Sequence, residues 1–193
     1  MSLIQSARNS DRQTPISFMT KTTLSLLAFC ILSGCLGMPP NVSPVSHFKL
    51  DRYLGRWYEI ARLDHSFEKG LQNVTAEYSI RNDGGVSVVN RGFSTDEKEW
   101  RVANGKAYFV KGADEGYLKV SFFGPFFGSY VIFELDQQHY QHAFVSGPDL
   151  SYLWLLSRTP NVSDKLKSDF VNRAKGLGFD TNNLIIVDHN SPD

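Results

Sequence analysis

The stretch GRWYE, residues 55–59, leads into the first of eight predicted strands, and the stretch LLSR, residues 155–158, ends the eighth. Between them, apolar and polar residues alternate and turn residues recur about every 8–12 positions, a pattern typical of all-β domains. The short, even spacing predicts an antiparallel up-and-down barrel. The predicted strands span residues 56–63, 73–81, 86–93, 99–110, 116–122, 128–135, 140–146 and 152–157.

One predicted helix follows the strands. Ser163 is a suitable N-cap, and Gly176 and Gly178 are typical of a helix end. Apolar residues recur at helical spacing between them: Leu166, Phe170, Val171, Ala174 and Leu177. We expect this apolar face to pack on the outside of the barrel, and residues 183–187 to form a short ninth strand.

The strand alternation predicts a set of inward-facing residues. An eight-stranded barrel either packs solid or holds one small ligand, and the small inward residues favour a cavity. The predicted ligand-binding residues are Tyr78, Val88, Asn90, Val120, Tyr130, Ile132 and Trp154. The apolar members would contact the apolar part of a ligand, and Tyr78, Asn90 and Tyr130 would orient a polar end. The alternation in 140–146 does not fix which side chains face inward, so His142 and Phe144 are further candidates.

The two stretches quoted first resemble the first and third signature regions of the lipocalin family. By that resemblance, Gly55 and Trp57 belong to a Gly-x-Trp motif whose tryptophan plugs the closed end of the barrel. Arg158 would lie across the indole as a cation–π partner. The second signature region is only partly present, since Leu135-Asp136-Gln137 retains the aspartate alone. The resemblance covers residues 48–188 and implies a protein that carries or stores a fatty acid or lysophospholipid. It also makes a homodimer plausible.

The N-terminal segment has the pattern of a signal peptide. Lys21 precedes an apolar run, Leu24 to Leu32, that is too short to cross a bilayer. Leu32-Ser33-Gly34-Cys35 then resembles the lipobox of bacterial lipoproteins, which implies cleavage before Cys35 and lipidation of its thiol. Leu36, rather than Asp, follows this cysteine, and by resemblance to the lipoprotein sorting rule this implies the outer membrane with the domain facing the periplasm. A buried helix holding both cysteines is the alternative.

These features divide the chain into three parts. Residues 1–34 are predicted to be the signal peptide, with residues 1–18 upstream of the true start if that is Met19. Residues 35–46 form a lipidated N-terminus and a proline-rich spacer, and residues 47–193 form the barrel domain.

The composition and motifs argue against several functions. Twenty basic residues balance twenty acidic ones, so the chain lacks the basic excess of a nucleic-acid-binding protein. The five histidines have no tight metal-ligand spacing, no Gly-x-Ser-x-Gly elbow is present, and no cofactor is expected. Glu59 and Glu134 face inward by alternation near the closed end, so acid–base chemistry stays open as an alternative. A third hypothesis is a structural lipoprotein with a filled barrel.

The stretch SFFGPFFGSY, residues 121–130, places four phenylalanines around Gly124 and Pro125. We expect this loop at the closed end or the barrel edge. Its rings would either tuck under the N-terminal segment or meet a partner chain or a membrane, because exposed phenylalanine clusters are unfavourable in water.

Overall fold

Within the part of the chain that the structure describes, nine strands and two α-helices follow one another in a simple order. The structure is a computed structural model and describes residues 36–190. After helix α1 (Leu50–Tyr53), the ring strands are β1 (Gly55–Leu63), β2 (Leu71–Ile80), β3 (Val86–Ser94), β4 (Glu99–Phe109), β5 (Tyr117–Ser121), β6 (Gly128–Leu135), β7 (His142–Ser146) and β8 (Leu153–Ser157). Helix α2 (Asp164–Gly176), a 3-10 turn (Thr181–Asn183) and β9 (Leu184–Ile186) complete the order.

The sheet closes on itself through β1. Each strand from β1 to β7 pairs antiparallel with the strand that follows it in the chain, and β8 pairs antiparallel with β1. Strand β9 lies outside the ring, where it pairs with Ala61 to Leu63 of β1. The predicted eight-stranded up-and-down barrel with one main helix and a ninth strand is therefore confirmed.

Trp57 and Arg158 close one end of the barrel. The Trp57 indole is fully buried and donates to the Tyr53 carbonyl oxygen at 2.7 Å. The Arg158 guanidinium carbon lies 4.0 Å from the Trp57 ring centroid. Arg158 also donates to the carbonyl oxygens of Arg56 and Arg52, both at 2.8 Å. These bonds tie α1 and the start of β1 to the end of β8, and this end is called the closed end below.

Two apolar cores lie on the two sides of the strands. The inner core fills the closed end and includes Phe48, Trp57 and Ile132. The outer core lies beneath α2, where Phe170 packs edge-on against Phe144 with ring centroids 5.0 Å apart. The Ser163 hydroxyl accepts from the Leu166 amide at 3.2 Å and so caps α2. No helix among residues 36–190 is long and apolar enough to cross a membrane.

The segment before α1 packs against the barrel. Residues 36–46 were expected to form a spacer, yet Pro39 and Val42 are buried. The Val45 amide donates to the Ile132 carbonyl oxygen, and its own carbonyl oxygen accepts from the Gly116 amide, both at 2.9 Å. Residues 1–35, which hold the predicted signal peptide and Cys35, lie outside the described residues.

Candidate functional site

The barrel interior holds a cavity above the closed end, and six of the seven predicted ligand-binding residues line it. These are Tyr78, Val88, Asn90, Val120, Tyr130 and Trp154. The seventh, Ile132, is fully buried in the inner core and does not line the cavity. The lower cavity has a volume of about 90 Å³. It continues into a mouth cavity of about 620 Å³, and Asn90, Val120 and Trp154 line both.

Three tyrosine hydroxyls form a polar patch on the cavity floor. The Tyr130 hydroxyl lies 2.7 Å from that of Tyr53 and 2.8 Å from that of Tyr78. Burial raises the pKa of each phenol well above its ordinary value, so all three stay uncharged at neutral pH. Sequence reasoning missed Tyr53 because it precedes the first strand. The floor is therefore neutral and can hydrogen-bond a polar group.

A buried cluster of charges lies in the wall near β1. Arg62 donates to the Glu59 carboxylate at 2.7 Å and to the Glu68 and Leu71 carbonyl oxygens at 2.9 and 3.0 Å. The Trp154 indole donates to the Glu68 carboxylate at 3.1 Å, and His65 Nε2 lies 2.9 Å from the same oxygen. Burial, followed by the charge of Glu68, raises the pKa of the Glu59 carboxyl despite Arg62.

Arg62 and Glu68 were not among the predicted site residues. Strand alternation alone would not have found Glu68, since it lies in the loop between β1 and β2 and reaches the interior only because that loop folds back. Glu59 accepts a hydrogen bond from Arg62, and the indole of Trp154 donates to Glu68. The cluster therefore fixes the β1–β2 loop at the cavity wall.

Three residues that were candidates for the interior face away from the cavity: Glu134, His142 and Phe144. The expectation that Glu134 points inward is wrong: it accepts from Arg173 of α2 at 2.7 Å. A bulge between Ile132 and Glu134 shifts the register of β6, so alternation fails there. Phe144 lies in the outer core beneath α2, and the His142 ring neighbours it at 6.0 Å.

The phenylalanine-rich loop lies at the open end. Of its two expected positions, the closed end and the barrel edge, the closed end is therefore wrong. Strand β1 runs from Trp57 toward the open end, and each hairpin reverses the direction. The odd-numbered strands thus all run toward the open end, which places the β5–β6 loop there. Phe122 lines the lower cavity, and Phe123 and Phe126 line the mouth with Phe67 of the β1–β2 loop.

Polar groups are sparse at the mouth and in the cavity. The Asn90 side-chain oxygen is buried with no hydrogen-bond partner, so it can accept from a ligand. Arg91 and Arg101 are the cationic residues that line the mouth among the described residues. Residues 36–190 hold no grouping of histidine, cysteine, aspartate and glutamate that could bind a metal. The arrangement suits an amphipathic ligand with an apolar body.

Comparison with known proteins identifies a matching family and several similar proteins. A family model described as a Lipocalin-like domain matches residues 48–189. The outer membrane lipoprotein Blc of Vibrio cholerae is 63% identical over 162 residues, 84% of this chain and 95% of the relative. Its namesake from Escherichia coli K12 is 49% identical over 161 residues, 83% of this chain and 90% of the relative.

The fold also matches solved structures. Insecticyanin from the tobacco hornworm Manduca sexta superposes with a TM-score of 0.63 over 79% of this chain and 86% of that one, at 21% identity. At this identity the likeness concerns the fold alone.

Proposed function

This chain belongs to the lipocalin family, and from that premise we propose that it binds one single-chain amphiphile, a fatty acid or a lysophospholipid, and stores or carries it in the cell envelope. The observation that carries the proposal is the apolar interior above Trp57, which shares the lining residues Asn90, Val120 and Trp154 with the mouth cavity. The mouth cavity of about 620 Å³ falls within the range of roughly 300–1,000 Å³ found for small-molecule sites.

The size of the barrel favours one acyl chain over two. Eight strands leave room for about one small ligand, and the cavity floor is already filled by the three tyrosines. A diacyl phospholipid would need a second apolar channel, and the lower cavity of about 90 Å³ does not supply it.

The charges favour a ligand that enters tail first. Glu59 and Glu68 line the lower cavity, and Arg62 is engaged by Glu59 and two carbonyl oxygens. An anionic head group would meet unfavourable carboxyl neighbours there. Glu68 and Asp149 also line the mouth, and Arg101 there pairs with Glu97. Arg91 offers positive charge to a phosphate or a carboxylate. The acyl tail would therefore contact Val88 and Val120, with the head group near the mouth.

The relatives' names support an anchor in the outer membrane. Both relatives above are named outer membrane lipoproteins, and the lipobox-like string of this chain places Cys35 where such a protein is lipidated. Each buried acyl methylene contributes about 0.8 kcal/mol, so two or three chains would hold the domain on the membrane.

A structural lipoprotein with a filled barrel is the second candidate, and the small lower cavity is the observation in its favour. The test uses the chain from Leu36 onward, since residues 36–190 hold the closed ring and both cores. Extracted ligands are identified by mass spectrometry. The delipidated protein is then titrated with a lysophospholipid, a long-chain fatty acid and the matching diacyl lipid, each below its critical micelle concentration where one exists.

We expect both single-chain lipids to bind more tightly than the diacyl lipid and to change the fluorescence of Trp154. Trp154→Ala should weaken the affinity, whereas Ile80→Ala, at an exposed position that lines neither cavity, should retain it. Absence of binding by all three lipids would support the filled barrel. Equal binding of one-chain and two-chain lipids would contradict the size argument and leave the family assignment intact.

A further inference from the structure

Four large apolar side chains stand exposed around the mouth. Phe67, Val102, Phe123 and Phe126, called the apolar rim below, are 52%, 56%, 79% and 60% exposed, and all four line the mouth cavity. They come from the β1–β2 loop, the start of β4 and the β5–β6 loop, so three separate segments converge on one end. Apolar groups clustered this way mark an interaction surface rather than scattered surface residues.

Cations flank the apolar rim. The Arg91 guanidinium carbon lies 3.9 Å from the Trp100 ring centroid, and Trp100 is itself partly exposed. Arg101 pairs with Glu97, and Lys119 lies 5.2 Å from the Phe127 ring centroid. Aromatic rings bordered by arginine and lysine suit the boundary between acyl chains and phosphate head groups, where an apolar body enters and a cation stays at the surface.

The described chain begins at the same end. Gly37 lies against the β7–β8 loop, since a Cβ built on it would be 3.4 Å from the Pro148 carbonyl oxygen. Pro148 also lines the mouth. The Tyr117 hydroxyl donates to the Leu36 carbonyl oxygen at 3.2 Å and holds the segment on the barrel wall. Cys35 is the next residue toward the N-terminus, so acyl chains on it would leave the domain beside the mouth and not at the closed end.

From this convergence we infer that the open end of the barrel docks on a phospholipid bilayer, with the apolar rim inserted among the acyl chains and the mouth facing the membrane. A single-chain lipid would then pass between bilayer and cavity without crossing water. The inference rests on the proposed lipid anchor for its orientation, but the rim's own affinity for lipid does not need the anchor. A second copy of this chain is the competing occupant of the rim.

The test measures flotation of the chain from Leu36 onward with vesicles of phosphatidylethanolamine and phosphatidylglycerol at a 3:1 ratio. The variant is the double substitution Phe123→Ser and Phe126→Ser. The matched control is Ile80→Ser with Ile186→Ser, because these side chains are 63% and 59% exposed and do not line the mouth. We expect the wild type and the control to float with the vesicles and the rim variant to lose at least tenfold in partitioning.

A second measurement locates the contact. Phe126→Trp should show a blue shift of its added emission when vesicles are present, while Ile80→Trp, at the closed end of β2, should show none. Sedimentation velocity without lipid shows whether a second copy of this chain, the competing occupant, binds at the rim. The inference is overturned if the wild type fails to float, if the rim variant floats like the wild type, or if the rim substitutions dissociate a dimer while vesicle binding stays unchanged.

The ligand titration separates this inference from the proposed function. Binding of the single-chain lipids without vesicle binding would reject the docking surface alone. Vesicle binding that depends on the rim, with no ligand bound by the wild type, would reject the proposed function alone.

Discussion

At the scale of single residues, Trp57 joins the N-terminal segment to the barrel. Its indole is enclosed by the Tyr53 ring, at a centroid distance of 4.6 Å, and by the Arg158 guanidinium. The same arginine donates to the carbonyl oxygens of Arg52 in α1 and Arg56 in β1. Removing the Trp57 ring would both leave a cavity and remove the cation–π contact of Arg158.

Trp57→Ala should therefore reduce the free energy of unfolding by about 3–5 kcal/mol, as for other large buried aromatic residues cut to alanine. Urea unfolding measures the change. Trp100→Ala is the control, because an exposed cation–π pair is worth roughly 0.5–1 kcal/mol. An unchanged midpoint for the Trp57 variant would contradict its role in closing the barrel.

Glu59 should make stability depend on pH. Its folded-state pKa is raised above the ordinary 4.5, so the folded protein keeps a proton that the unfolded chain has lost. That contribution to stability is complete below the unfolded pKa and is lost as pH rises toward the folded pKa, with a slope of up to about 1.4 kcal/mol per pH unit.

Glu59→Gln removes this titration while retaining an oxygen that can accept from Arg62. Relative to the wild type, we expect the variant to gain stability progressively as pH rises above about 5. Urea unfolding of both proteins at several pH values from 5 to 8 gives the difference. A difference that stays constant with pH would show that Glu59 is already ionised in the folded protein.

At the scale of elements, α2 illustrates how local and tertiary signals agree. The Ser163 cap and the apolar spacing define where the helix begins and which face is buried, and Phe170 and Ala174 then fill the outer core. Local rules fail where a strand bulges, as β6 does before Glu134.

Ser163→Ala should cost about 1 kcal/mol, because an orphan amide at the helix start loses its acceptor. The melting temperature should fall by roughly 2–4 °C for a chain of this size. Ser168→Ala is the matched control: Ser168 is exposed within α2, and alanine is the better helix former there. Equal effects of the two substitutions would argue against the cap.

At the scale of the whole molecule, the anchor, the cavity and the mouth form one arrangement. The acyl chains proposed for Cys35 would keep the domain at the membrane, and the described chain starts beside the open end. Cys30 falls inside the predicted signal peptide and should have no part in the mature protein.

In a chain that also carries Phe123→Ser and Phe126→Ser to remove the rim contact, Cys35→Ala should release the folded domain from membranes in a bacterium that processes lipoproteins, because the thiol that accepts the acyl chains is gone. Fractionation after a high-salt wash measures the release. Cys30→Ala should stay membrane-bound and provides the control. Retention of the Cys35 variant on the membrane would refute acyl anchoring at this residue.

Much of this protein could be deduced from its sequence alone. Strand alternation and turn spacing predicted the ring of eight strands, because each strand must bury one face and alternation has a period of two. The helical spacing of apolar residues after Ser163 predicted the outer helix, and a short apolar run after it predicted the ninth strand. The Gly55–Trp57 and Arg158 motifs indicated the family. Six cavity residues followed from the same alternation.

Only the tertiary structure decided the rest. Tyr53, Glu68 and Trp154 come from three distant segments, and ring closure brings them together around one cavity. The distances between segments that are far apart in the chain cannot be deduced from a sequence pattern. The bulge in β6 turned Glu134 outward, since one extra residue reverses the face of all that follow. The direction of β5 placed Phe123 and Phe126 at the open end, because the end at which a loop lies depends on how many times the chain has already reversed.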